Sequence, residues 1–327
     1  MEDREPVSEQ DGVSRTQLDL TDLKFKDISI EDRQEIESFL LKYSSFCLSA
    51  FTFSSLIAWS SVYHYQWAVS LNTLLIKFLH LEDNNEHFMQ PVGEFPEALQ
   101  DAAIKLAETL SYRLTIFGVS NTFLGQYPVF TSHFERIENR DMDNYIYSAL
   151  DLADLKGEKY QPKRNLLNQF EAQNKWTSEP VTSLNIPACF EVIHAIYIPD
   201  ALDEKSYLAK ELKALAFVLN HFSQFNQEGI LIRIDGKPVA FSIYEHLNNS
   251  TCVVHFEKAI RTYKGLYQLI NRETAKKIKS KGCEFINREE DLGLEGLRKA
   301  KLSYYPLELC PAHALVFRSR RQEMPDT

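Results

Sequence analysis

The chain has 327 residues, of which 44% are hydrophobic and 25% charged, a composition typical of a globular protein with two domains. Only 11 residues are glycine, and neither G-x-G-x-x-G nor G-x-x-x-x-G-K-[ST] occurs, which excludes the common glycine-rich nucleotide loops. H-E-x-x-H, C-x-x-C and G-x-S-x-G are also absent, so the commonest zinc, redox and serine-hydrolase signatures are excluded.

Charge is distributed unevenly along the chain. Residues 1–155 hold 11 Lys and Arg against 25 Asp and Glu, a net charge of −14, whereas residues 156–327 hold 25 against 21, a net charge of +4. This asymmetry suggests that the second half contacts an anion, with simple variation between domains as the alternative. The overall charge of −10 argues against a protein that coats nucleic acid indiscriminately.

The cysteines and the N-terminal residues indicate the cellular compartment in which the protein is expected. Five cysteines at irregular spacing predict no structural disulfide and a reducing cytoplasm (Cys47, Cys189, Cys252, Cys283 and Cys310). The first 20 residues are polar and acidic, without the apolar core of a signal peptide, and we expect residues 1–20 to be a disordered tail.

A segment without Asp, Glu, Lys or Arg runs from Tyr43 to Ile76. A spanning helix needs about 20 predominantly apolar residues, and serine, threonine, histidine and glutamine interrupt this segment throughout. We therefore expect a buried helix followed by a core strand, and no transmembrane segment.

In the first half, helices and short strands follow one another without strict alternation. Ser29-Ile-Glu-Asp32 has the spacing of a capping box, which predicts a helix to about Tyr43. Strands are predicted at 66–71, 73–81, 87–92 and 113–119, and leucines at helical spacing predict a helix around 99–110. The pattern indicates an α+β arrangement.

A basic segment, 155–176, is predicted to form a helix that bridges the two halves. Pro162 suits its first turn, which would carry Lys163, Arg164, Asn165 and Asn168. Basic side chains at a helix N-terminus oppose the macrodipole, so this breach of a local rule suggests a bound anion. The alternative is a solvated basic turn.

The second half gives a clearer pattern. A leucine stripe predicts a helix at 208–222, and strands at 230–234, 239–244 and 251–259 form an antiparallel meander. A loop at 260–265 precedes a helix at 266–281, which Gly282 ends. A strand at 283–287, a helix at 292–302 and a strand at 314–319 complete the order.

This order of elements resembles the Gcn5-related N-acetyltransferase (GNAT) fold, in which the loop before the long helix presents backbone N–H groups to a pyrophosphate. Lys264 and Gly265 occupy that loop. The family pattern [RQ]-x-x-G-x-[GA] is not met, because Arg261 stands one place too far away and Tyr267 replaces the last small residue. This departure from the pattern argues against an acyl-CoA-dependent N-acyltransferase.

Four stretches resemble a bacterial family similar to the C-terminal domain of phosphatidylglycerol lysyltransferase: Asn144-Tyr-Ile-Tyr147, 159–165, His255-Phe-Glu-Lys258 and 287–306. The resemblance implies an α+β protein with two tandem GNAT-like domains, built of mostly antiparallel sheets flanked by helices and related to the Fem peptidoglycan aminoacyltransferases. The domains would be 21–154 and 177–327, joined by the basic bridging helix 155–176.

The resemblance also implies a function: transfer of an aminoacyl group from aminoacyl-tRNA, or a similar phosphate-bearing donor, to an amine or hydroxyl acceptor such as a lipid headgroup or a peptide. No metal or cofactor would be needed, since the donor is already an activated ester. The location would be the cytoplasm, or the inner face of the membrane. Alternatives are an acyl-CoA-dependent N-acyltransferase and a non-catalytic module that binds a nucleotide or an RNA end.

Candidate catalytic residues follow from strand alternation and from the resemblance. Alternation places His255 and Glu257 on one face of a strand, where either could deprotonate an acceptor amine. The alternative is a buried ion pair that stabilises the sheet. Glu289 could hold an ammonium group, and the GNAT resemblance suggests Tyr304 or Tyr305 as the acid that protonates the leaving group.

Candidate donor-binding residues cluster after the strand at 283–287. Asn287 and Arg288 stand at its carboxyl end, where ligands gather in open α/β sheets. Arg298 and Lys301 are three apart and share a helix face. Arg164, Arg288 and Arg298 are expected to wall one positively charged cleft, and Asp291 is interpreted as the N-cap of the helix that follows it.

Overall fold

The computed structural model describes residues 18–43, 48–197, 203 and 206–318. The helices in these ranges are α1 Arg33–Lys42, α2 Phe53–Tyr63, α3 Glu97–Thr109, α4 Asn121–Gln126, α5 Pro128–Thr131, α6 Ala149–Asp154, α7 Gln161–Gln173, α8 Ile186–Ile196, α9 Tyr207–Asn220, α10 Leu266–Ser280 and α11 Glu295–Leu302.

The strands are β1 Lys26–Asp27, β2 Gln66–Ser70, β3 Thr73–Leu79, β4 Glu86–Met89, β5 Val92–Gly93, β6 Thr115–Val119, β7 Phe134–Ile137, β8 Asn144–Ser148, β9 Trp176–Pro180, β10 Glu228–Ile234, β11 Lys237–His246, β12 Thr251–Ala259, β13 Phe285–Asn287, β14 Glu308–Cys310 and β15 His313–Phe317.

The first sheet has the strand order β1-β2-β3-β4-β6-β15-β7, with β5 paired to β3. All its pairs are antiparallel except β4 with β6. Alternation along β3 sends Leu74 and Ile76 into the core beneath α1 and α2, and Leu75 into the core beneath α3. Helices therefore cover both faces of this sheet.

The second sheet has the order β14-β8-β13-β12-β11-β10-β9, and only β12 and β13 are parallel. Its core on one face includes residues of α6, α7 and α10, and on the other face residues of α8 and α9. Ala58 of α2 also belongs to the second of these cores, so a helix from the first half packs against the second sheet.

Two strands cross the predicted domain boundaries. Strand β8, predicted within 21–154, lies between β14 and β13 in the second sheet, and β15, predicted within 177–327, lies between β6 and β7 in the first. Each sheet therefore contains one strand from the other predicted domain, and backbone pairing over such long sequence separations leaves no local pattern.

Several local predictions are confirmed. The capping box at Ser29 and Asp32 precedes α1, and the uncharged segment contains α2, β2 and β3. Thr52 caps α2, its Oγ1 accepting from the Ser55 N–H at 3.2 Å. Among the described residues, no helix is long and apolar enough to cross a membrane.

Two predictions near the chain ends differ from the structure. Leu20 is buried in the first core, so the predicted tail 1–20 extends too far; residues 1–17 lie outside the described ranges. Cys310 is disulfide-bonded, which contradicts the prediction of no structural disulfide. Irregular cysteine spacing does not reveal which sulfurs the fold brings together.

Candidate functional site

Strands β12 and β13 pair at three positions and then diverge. Thr251, Cys252 and Val253 face Phe285, Ile286 and Asn287, after which β12 continues alone to Ala259. Two side-chain pairs span the resulting gap: His255 with Glu289, and Glu257 with Arg288. The gap is at the carboxyl end of the parallel pair, the place where such sheets commonly bind ligands.

A β-bulge decides which way these pairs face. Ile243 of β11 pairs with Phe256 and the next residue, Tyr244, pairs with Val254, so His255 is the extra residue. The predicted alternation therefore breaks at His255. Glu257 and Arg288 meet on the α10 side, whereas His255 faces α2 and α9, and the prediction that His255 and Glu257 share a face is wrong.

His255 is held between two carboxylates. Its Nε2 lies 2.6 Å from Glu245 Oε1 and its Nδ1 2.8 Å from Glu289 Oε1. Ser54 of α2 also donates its hydroxyl to Glu245. Burial alone would lower the pKa of His255, but the two carboxylates outweigh it and raise the pKa to about 10. His255 is therefore an imidazolium that donates two hydrogen bonds, rather than a free base.

Asparagine side chains position Glu289. The Glu289 N–H donates to Asn287 Oδ1 at 2.6 Å, and the backbone of Glu289 is left-handed, with φ 58°. Asn287 Nδ2 donates to Asn144 Oδ1 at 2.8 Å, which also accepts from the Ser49 N–H at 2.9 Å. Asn287 is thus a buried support beneath the site. A left-handed glutamate is uncommon and is held by this surrounding structure.

A narrow cleft between α2 and α9 opens beside Glu289. Its empty space, partly open to solvent, is about 320 Å³. The rings of Trp59 and Tyr207 stack at its side with centroids 5.6 Å apart. The lining residues are Ser54, Ser55, Ala58, Trp59, Tyr207, Glu211, Val218, Gln227, His255, Phe256 and Glu289. The cleft combines aromatic rings with acidic and amide side chains.

Glu290 adds a second carboxyl group close to Glu289. Burial, and then the charge of Glu289, raise the pKa of Glu290 to about 7. The charge of Glu290 in turn helps to raise the pKa values of Tyr63 and Tyr207 beside the cleft. A carboxyl group that titrates near neutral pH suits proton transfer.

The sequence interpretation did not select Glu245, Gln227, Trp59, Tyr207 or Glu290. Glu245 offered a signal, because it is an acidic residue at the end of an apolar strand pattern. Glu290 directly follows the selected Glu289, whereas Gln227, Trp59 and Tyr207 come from elements that only the tertiary fold brings together.

A second cluster surrounds Tyr304 on the α10 side of the sheet. Lys163 Nζ lies 4.1 Å from the ring centroid and the Arg288 guanidinium 5.5 Å from it. Arg288 donates to Glu257 Oε1 at 2.9 Å, and Lys163 donates to Ser303 Oγ at 2.6 Å. Burial raises the pKa values of both Tyr304 and Glu257. The fold thus brings four predicted site residues together, away from the cleft.

The three arginines that were predicted to wall one cleft each have their own partners in the chain. Arg298 donates to Asp291 and Asp141, and Arg164 donates to the carbonyl oxygens of Leu155 and Gly157. Arg288 is engaged with Glu257.

Asp291 is also not the N-cap that was expected, since α11 begins after Leu294. Its carboxylate instead accepts from Arg298, Tyr145 and the Gly293 N–H. The hydrogen bonds from Arg298 hold the pKa of Asp291 well below its usual range. Lys301 donates to the carbonyl oxygens of Arg288 and Glu290, and burial lowers its pKa to about 8. Both residues therefore brace the loop that carries Glu289.

The loop before α10 packs against α7. Gly265 adopts φ +97°, and a Cβ placed there would lie 2.6 Å from the carbonyl oxygen of Leu166. Close helix packing is therefore sufficient reason for this glycine. Lys264, Asn165 and Asn168 are exposed nearby.

Two groups of side chains among the described residues have the composition of metal sites, but neither fits a cation. His87 Nδ1 accepts from the Thr115 N–H, so Nε2 carries the hydrogen that it donates to Asp83 and cannot also bind a metal. The Cys252 and Cys283 sulfurs lie 2.8 Å apart. Two thiolates on tetrahedral zinc, with bonds of about 2.3 Å, would be about 3.8 Å apart.

Comparison with known families identifies the chain. Residues 46–312 match the family described as phosphatidylglycerol lysyltransferase, C-terminal. The chain belongs to this family. The match confirms the predicted resemblance and supports an acyltransferase.

Solved structures agree with the family assignment. A conserved protein of unknown function from Bacteroides thetaiotaomicron is 32% identical, with a TM-score of 0.82 over 90% of this chain and 100% of the other. L-PGS from Bacillus licheniformis is 13% identical, with a TM-score of 0.60 over 89% of this chain and 93% of the other. FemX is 10% identical, with a TM-score of 0.58 over 91% and 98%. The predicted α+β fold with two GNAT-like halves is confirmed. A sequence comparison with curated proteins gives no match.

Proposed function

We propose that this member of the lysyltransferase C-terminal family transfers an aminoacyl group from aminoacyl-tRNA to an amine or hydroxyl acceptor, such as a lipid headgroup or a peptide. The observation that carries the proposal is the Glu245–His255–Glu289 arrangement at the gap between β12 and β13, beside the cleft. Family membership supports the class of reaction, and the chemistry of the cleft supports an aminoacyl donor.

The aminoacyl group brings an ammonium group and an ester carbonyl into the cleft. Glu289 lines the cleft with a side chain that is 28% exposed, and the stacked Trp59 and Tyr207 rings offer π-faces to a cation. Because His255 fixes one oxygen of Glu289, the carboxylate is preorganised for a positively charged ligand.

Transfer requires one proton to leave the acceptor. The acceptor nitrogen or oxygen attacks the ester carbonyl, the carbon–oxygen bond to the ribose breaks, and the ribose oxygen takes a proton as it leaves. We assign the acceptor's proton to the Glu289–Glu290 pair, because Glu290 has a pKa of about 7. His255 is a positioning residue, since both of its nitrogens are already engaged.

An acyl-CoA donor is the less well supported alternative. The loop before α10 departs from the pyrophosphate pattern, and α7 packs directly against Gly265. Failure of coenzyme A to shift the melting temperature at millimolar concentration would reject this donor.

The test uses the purified chain, a panel of charged tRNAs, and amine and hydroxyl acceptors. We expect loss of the aminoacyl ester and labelling of an acceptor, both reduced at least 100-fold by Glu289→Gln. The matched control is Glu284→Gln, an exposed glutamate before β13. The proposal fails if no donor and acceptor pair reacts, or if Glu289→Gln reacts like wild type at unchanged melting temperature.

A further inference from the structure

Gln227 is a buried amide that lines the floor of the cleft. It precedes β10 and is 7% exposed, and neither Nε2 nor Oε1 has a hydrogen-bond partner among the described residues. Leaving a buried polar group unpaired costs free energy, so native proteins seldom keep one without a reason. Because Gln227 lines the cleft, a ligand can supply the missing hydrogen bonds.

Exposure distinguishes the floor of the cleft from its mouth. The lining residues Ala58, Val218, Phe256 and Gln227 are buried, whereas Tyr207 is 42% exposed. The buried lining therefore combines apolar side chains with the Ser54 hydroxyl and the His255 ring, which both contact Glu245, and with the amide of Gln227.

The carboxylates around the floor are already neutralised. Glu211 accepts from Lys258 Nζ at 2.8 Å, and Glu245 accepts from His255 and Ser54. Neither of these two carboxylates is left unpaired for an ammonium group at the end of a long side chain. A carboxamide offers both donors and an acceptor, which a hydroxyl or a second amide can satisfy and an ammonium group cannot.

We infer that the cleft selects a donor aminoacyl group whose side chain is small, uncharged and ends in a hydroxyl or a carboxamide, with Gln227 as the residue that determines specificity. This inference rests on the proposed function and adds the chemical class of the donor. The α-ammonium group would remain near Glu289 at the mouth, and the side chain would reach the floor.

Binding can be measured without any transfer. Amino acid amides reproduce the aminoacyl group without the RNA, so calorimetric titration with L-serinamide, L-asparaginamide, L-valinamide and L-lysinamide ranks the side chains. We expect serinamide or asparaginamide to bind at least 10-fold more tightly than valinamide and lysinamide, because a site built for hydrogen bonding discriminates against ligands that lack the group.

Gln227→Leu should abolish that ranking, while Gln169→Leu, an exposed residue of α7, should preserve it. The wild-type ranking alone tests the inference if Gln227→Leu fails to fold. Tightest binding of lysinamide or valinamide would overturn it, as would an unchanged ranking in folded Gln227→Leu.

The transfer assay distinguishes failure of the proposed aminoacyl transfer from failure of the proposed donor specificity. If the amides rank as expected but no charged tRNA reacts, the proposed transfer fails and the pocket assignment stands. If lysyl-tRNA is the preferred donor, transfer stands and the specificity inference is overturned.

Discussion

His255 and Glu289 join the two diverging strands of the second sheet, with Nδ1 of the histidine 2.8 Å from Oε1 of the glutamate. The opposite nitrogen of the ring contacts Glu245, whose side chain is only 6% exposed. The ring therefore connects a buried carboxylate to one that lines the cleft. The bulge separates Glu257 from this contact, because His255 and Phe256 both line the cleft whereas Glu257 faces α10.

The charge on His255 gives the fold a dependence on alkaline pH. The pKa rises from 6.5 to about 10 in the folded chain, so the stabilisation is complete below pH 6.5 and is lost as the pH approaches 10. The expected slope is at most about 1.4 kcal/mol per pH unit. Urea unfolding at a series of pH values measures it.

His255→Gln is the variant that isolates this effect. Lys301 contributes the opposite slope above pH 8 because its pKa is lowered, so the informative quantity is the difference between wild type and variant. That difference should shrink as pH rises. At neutral pH the variant should lose about 3–5 kcal/mol, because Glu245 becomes a buried charge without its partner, and adding Glu245→Gln should restore part of the loss. A pH-independent difference would contradict the protonated state.

Gly265 should tolerate substitution poorly. Alanine there would adopt a left-handed φ of +97° and place its Cβ 2.6 Å from the backbone oxygen of Leu166, which cannot move without shifting α7. We expect Gly265→Ala to lower the free energy of unfolding by more than about 2 kcal/mol. Chemical denaturation provides the measurement.

Gly236 provides a matched comparison. It has φ +80° in the turn between β10 and β11, and a Cβ added there would meet no neighbour within 4 Å, so Gly236→Ala should cost only the backbone strain, about 1 kcal/mol. Equal losses in the two variants would show that α7 does not constrain the loop before α10.

Arg298 is expected to stabilise the fold rather than bind phosphate. Its guanidinium donates to Asp291, which is fully buried, so Arg298→Met should lower the free energy of unfolding by leaving that carboxylate without its arginine. Adding Asp291→Asn should recover part of that loss, because the unpaired charge is removed. If Arg298 bound phosphate instead, Arg298→Met would leave stability nearly unchanged and would reduce the salt dependence of charged tRNA binding.

Local signals in the sequence predicted elements well, and pairings between distant segments were missed. The capping box at Ser29 and Asp32 lies within four residues and could be recognised directly. The exchange of β8 and β15 between sheets depends on backbone pairing across the whole chain, which composition does not encode locally.

The candidate site was predicted in part for the same reason. His255 and Glu289 were selected from strand alternation and from polar residues at a strand end, but alternation placed His255 and Glu257 on one face, since a bulge has no sequence signature here. Arg298 was assigned to phosphate because Asp291 was interpreted as a helix cap and Asp141 lies 157 positions away, so neither pairing was foreseen. Charge alone does not show whether an arginine is already paired.

We expect Gln227 to lower the free energy of unfolding of the chain. Its amide is buried without partners, so Gln227→Leu, which keeps a similar volume and removes both polar atoms, should raise the free energy of unfolding by about 1–2 kcal/mol. Thermal and urea denaturation of the ligand-free protein measure the change. Gln169→Leu on the exposed surface of α7 should change stability by less than about 0.5 kcal/mol. Destabilisation by Gln227→Leu would mean that the amide already has partners within the chain, and the reason for assigning it to a ligand would disappear.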